Sequence, residues 1–145
     1  MAAMSDYLEN KLIDYLLRAQ AYTAPATVYV ALFTAAPSDS GGGTEVTGGS
    51  YARVAVTSSL ANWAGTQSAG STSASSGTGG ATSNNGAITF PSPTANWGVV
   101  THMGIFDAST AGNLLFHGAL TTSKTVNNGD SAPSYSAAAL GLTFA

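Results

Sequence analysis

His102 and His117 are the only histidines in the chain, and Asp107 is the carboxylate closest to them in sequence. Imidazole and carboxylate side chains can hold a transition metal or relay a proton. A metal needs more ligands than this stretch offers, so the two histidines are expected to fill a half-buried sheet face and no metal is expected. Cysteine is absent, which excludes disulfides, a thiolate nucleophile and a cysteine-based zinc site. Hydroxyls are plentiful only because the loops are built from Ser and Thr, and no Gly-x-Ser-x-Gly elbow occurs among them. Glycosidase chemistry needs two carboxylates converging in a cleft, whereas the seven acids are scattered and three of them, Asp6, Glu9 and Asp14, lie at the front of the chain. Gly41-Gly42-Gly43 lacks the following Gly-Lys-Ser/Thr of a phosphate cradle, and Asp39 and Glu45 beside it do not have EF-hand spacing. The reading is of no catalytic residue, no metal and no cofactor.

Trp63 and Trp97, each preceded by an Asn, are the other side chains able to carry recognition, since an exposed indole can stack on a sugar ring. A residue of that size is more often an anchor of the core, and both readings stay open.

The elements that would position these groups follow from periodicity. Over residues 5–20, Leu8, Leu12, Tyr15, Leu16 and Ala19 share one side of a helix and Asn10, Lys11, Asp14 and Arg18 the other, with Asp6 and Glu9 as a capping pair and Pro25 beyond the end. The first group is expected to dock the helix. Ile13 and Leu17 lie on a flank that the polar face does not cover, which marks them as a candidate assembly interface.

After Pro25 the period changes to two. Residues 27–34 are apolar on both faces, as in a central strand. In 51–58, Ala52, Val54 and Val56 alternate inward with Arg53 outward; 88–90, 99–106, 114–120, 124–126 and 140–144 supply further strands. The clearest unit is the hairpin of 99–106 with 114–120, expected to form the rigid centre of the sheet, with Phe116 a candidate core ring. Residues 66–86 are almost wholly Ser, Thr, Gly, Ala and Asn and are expected to form no core, either as an ordered arm on a neighbour or as a mobile tip. The fold expected is mainly β: an antiparallel sandwich or jelly-roll-like domain over 26–145 behind one N-terminal amphipathic helix, the whole 1–145 a single domain.

Four Lys or Arg oppose seven Asp or Glu, and none of these occurs between Val54 and Phe106. Such a surface gives a phosphate backbone little to hold, so nucleic acid is not an expected partner. The first residues lack the pattern of a secretory signal, no apolar run approaches the ~20 residues of a membrane span, and synthesis in the cytosol before joining something larger is the expectation.

The stretch Trp97-Gly98-Val99-Val100-Thr101-His102-Met103-Gly104-Ile105-Phe106-Asp107-Ala108, continued by Gly112-Asn113-Leu114-Leu115-Phe116-His117-Gly118, resembles a recurrent segment of phage tail proteins. The likeness extends to residues 7–14, 25–34 and 49–54, and is to the small tail-fibre protein family in particular. It implies a virion component of the tail or its junction with the head, made in the host cytoplasm and without catalytic residues. Its expected partners are itself, a dimer being the commonest symmetry, and other virion proteins. A capsid decoration protein and a module that binds host-surface carbohydrate are the competing readings.

Overall fold

In the computed structural model, which describes residues 2–144, Ser5 starts the helix α1 (Asp6–Leu17). Its extended backbone (φ −82°, ψ 157°) turns the hydroxyl back to accept the Leu8 N–H at 3.3 Å, and the same hydroxyl donates to the Leu114 carbonyl. Ser5 thus performs the capping expected of Asp6 and Glu9, which instead place negative charge on the positive end of the helix dipole. The helix stops three residues short of Gln20, because Ala19 adopts a left-handed conformation (φ 53°).

The main sheet has six antiparallel strands: β1 (Ala3–Met4), β8 (Leu114–Val126), β7 (Gly98–Phe106) and β2 (Thr27–Ala35) in that order, with β3 (Thr44–Glu45) and β4 (Val54–Thr57) sharing the far edge of β2. The expected hairpin forms and is longer than expected, the 114–120 and 124–126 segments being one bulged strand. β2 is the central strand that its two apolar faces require, with Val30, Ala31, Leu32 and Phe33 all nearly inaccessible.

Two short ribbons cover one face of this sheet. One pairs β5 (Ala81–Ser83) with β10 (Gly141–Thr143), the other β6 (Ile88–Thr89) with β9 (Ser134–Tyr135). Between sheet and ribbons lies the core, built from Val30, Leu32, Met103, Ile105, Val100 and Val126 below and Ile88, Phe90, Leu140 and Leu142 above. The fold is mainly β and antiparallel, as expected, its second layer being two ribbons and their loops. Phe116 is only partly buried, its ring edge-on to Phe144 at 5.2 Å, so the core ring is Phe90 rather than Phe116.

On the opposite face Gly104 carries no side chain because Phe33, Phe106 and Leu114 close over it: a Cβ there would come within 2.9 Å of the Phe33 ring.

Residues 66–86 divide in two. Up to Gly80 the chain folds on itself around Gln67, whose amide donates to the Ala74 carbonyl (3.1 Å) and accepts from the Ser76 N–H (3.3 Å). From Ala81 it enters the body, and Ser83 and Asn84 are buried, against the expectation that this run forms no core. The Asn84 amide donates to Gly86 and Ser136 carbonyls (2.7 and 2.8 Å) and its oxygen accepts from the Leu140 N–H (2.8 Å), which binds the run to the C-terminal segment.

Candidate assembly surface

The two histidines lie on one face of the β7–β8 hairpin, His102 opposite Ala119 and His117 opposite Gly104. Each has half of a relay. Nε2 of His117 is 2.9 Å from an Asp39 carboxylate oxygen, with no hydroxyl hydrogen-bonded to the ring; Nδ1 of His102 is 2.8 Å from the Thr101 hydroxyl, with no carboxylate beside it. Asp107 is committed elsewhere, its two oxygens accepting from the backbone and side-chain N–H groups of Asn113 at 2.7 Å each. Among the described residues no three His, Cys, Asp or Glu side chains gather as a metal site.

Arg53 does not point outward. Its side chain is only 8 % exposed: it grips the Glu45 carboxylate with two donors at 2.8 Å, lies 3.5 Å over the Phe106 ring, and donates to the Ala108 and Ala111 carbonyls of the β7–β8 turn. Ala52, expected inward, is exposed. The alternation fails here because Arg53 precedes β4, so its direction is set by Glu45 and the Phe106 ring instead of by a pleat. Tyr51 completes the cluster by donating to Glu45 (3.0 Å) and accepting the Leu32 N–H (2.9 Å), which fills the gap on the β2 edge between β4 and β3. Burial, with Glu45 adding to it, raises the Tyr51 phenol far above its ordinary pKa, so it acts as a neutral hydrogen-bonding strut.

Trp97 is buried, its indole N–H donating to the Gly49 carbonyl at 2.9 Å and its ring edge-on to Tyr51 at 5.3 Å. Trp63 is half-buried and packs against the core. Both indoles therefore pack against the core, which removes Trp97 as a sugar-stacking platform and leaves Trp63 partly exposed.

Four of the exposed large apolar side chains, Ile13, Tyr15, Leu16 and Leu17, are on α1. Leu8 is buried and Leu12 half-buried, so the helix docks by its first turns beside the Leu114 end of β8. Tyr15, Leu16 and Ala19, expected to dock, are exposed instead. Ile13, Leu16 and Leu17 are 50 %, 71 % and 80 % exposed; with Glu9 they occupy positions i, i+4, i+7 and i+8 and form one stripe. The wheel of apolar positions left Ile13 and Leu17 uncovered, and they are exposed here, but it assigned Leu16 to the docked side, since it says nothing of how far along its length a helix meets the body. No helix among the described residues is long and apolar enough to cross a membrane.

The described structure is thus mainly β, with Arg53, Glu45 and Asp107 tied to its own strands and turns and an apolar stripe of α1 exposed. Residues 3–143 match a family model described as podophage GP4 fiber I protein gp80, and the chain belongs to that family. It is a phage fibre protein, which places it in the virion. A search of the curated proteins returns no match.

Proposed function

We propose that this chain is a tail-fibre building block that acts as a single, non-enzymatic domain and works by protein–protein assembly, at the tail or its junction with the head. It associates with itself, a dimer being favoured, and with other virion proteins, and it needs neither metal nor cofactor. Ile13 and Leu17, with Leu16 between them, form the contact. The observation that carries this reading is the exposure of that stripe on a helix whose first turns are already docked. Of the four cations, Arg18 is paired with Asp14 and Arg53 with Glu45, which leaves little positive charge for nucleic acid.

Light scattering after size exclusion tests the contact. The parent is expected to run as a dimer, and Ile13→Asp with Leu17→Asp as a folded monomer, because two charges would have to be buried in the interface. A monomeric parent, or a dimer indifferent to both charges, contradicts it.

A further inference from the structure

A second candidate contact surface lies away from the helix, at the other end of β8. A cleft of about 580 Å³, within the range of ligand-sized sites, opens between that end of the sheet and the β9 ribbon, lined by Leu32, Val100, Met103, Leu120, Val126 and Tyr135 among others. Its mouth is made by residues 120–124, where β8 bulges: Ala119 pairs with His102 and Lys124 with Val100, so the residues between them have no regular partner on β7, while β1 covers the outer edge only at Phe116 and His117.

Two properties of the cleft match the stripe on α1. Its buried lining, Leu32, Val100, Met103 and Val126, is apolar, as Ile13, Leu16 and Leu17 are, while the exposed Thr121, Thr122 and Ser134 line it toward solvent. Lys124 on the lining and Glu9 on the stripe are opposite charges, and among the described residues neither is in an ion pair. One chain thus carries a cleft with an apolar buried lining and an exposed apolar stripe, each with a charge opposite to the other's.

We propose that the cleft is the receiving site for a second copy of this chain, the stripe Glu9–Ile13–Leu16–Leu17 of each protomer seating in the cleft of the other. This rests on the self-association proposed above and specifies its geometry. Twofold symmetry makes the contact twice in one dimer and satisfies both surfaces at once, so the assembly closes. The dimer then offers its remaining faces to other virion proteins.

Because the chain has no cysteine, introduced thiols report the contact without background. Leu17→Cys places a thiol on the stripe and Thr122→Cys one at the cleft mouth. Under mild oxidation an equimolar mixture of the two variants, allowed to exchange subunits, is expected to give a covalent dimer, and each variant alone none. A disulfide between two Leu17→Cys copies would show helix-to-helix packing and overturn the cleft as the receiving site while leaving self-association through α1 intact. The absence of any disulfide in a mixture that light scattering shows to be dimeric and exchanging would overturn it too. A parent that is monomeric before any oxidation would overturn the self-association itself.

Discussion

Phe90→Ala is expected to lower stability by about 3–5 kcal/mol, the usual cost of truncating a fully buried aromatic ring. For a chain of this size that is a fall in Tm on the order of 10–15 °C. Phe90 is 2 % exposed, lies parallel to Tyr51 with ring centroids 6.2 Å apart, and tilts against Tyr135 at 6.4 Å. Tyr51 in turn satisfies Leu32 on β2 and holds Glu45, so the cavity would loosen the β2 edge as well as the core. Phe116→Ala should cost only about 1–2 kcal/mol, since that ring is partly exposed already. Thermal melts of the two variants side by side check this, and equal losses would mean that the core is not centred on Phe90.

Asn84→Ala is expected to be as damaging, on the order of 3–5 kcal/mol, although it removes only a small polar group. The Asn84 side chain makes three hydrogen bonds of 2.7–2.8 Å, and its loss leaves the buried Leu140 N–H without a partner, whereas the carbonyls of the exposed Gly86 and Ser136 can turn to water. Each such bond is worth about 1 kcal/mol, and the one buried orphan, the Leu140 N–H, adds about 1–3 kcal/mol. Asn84→Asp should not rescue it, because a carboxylate keeps the acceptor for Leu140 but presents oxygen to two carbonyls. The neighbouring Asn85 is the control: its amide makes two 3.3 Å bonds and its carbonyl oxygen is already unpaired, so Asn85→Ala should cost about 1 kcal/mol. Denaturant melts that rank the two alanine variants the other way would sink the role given to Asn84.

The contrast between these two asparagines shows what could be read from the sequence. A continuous apolar run identified β2 and alternation identified the β7–β8 hairpin, because strands of nine residues or more give such patterns enough room to stand out. β1, β3, β5 and β9 have two or three residues each, too few for any period, and β5 lies in a Ser/Thr/Gly-rich run whose composition resembles an unstructured linker. Asn84-Asn85-Gly86 reads as a turn from residue types alone; that one amide is buried against a segment more than fifty residues away is a tertiary fact. Arg53 was legible as a cation but not as a latch, since Glu45 and the Ala108 and Ala111 carbonyls meet it only after the strands have paired. The stripe on α1 was half legible: the spacing of Ile13 and Leu17 showed a flank without cover, and the exposure of Leu16 followed only from where the helix parts from the body.

The position of the chain on the particle tests the central claim most directly. In a cryo-electron microscopy map of the intact virion, this fold, recognisable by its six-stranded sheet and single helix, is expected in the tail fibres or at their junction with the head, as paired copies with α1 at their contact. Density for it at every capsomer of the head, and none in the tail, would make the chain a decoration protein and contradict the account.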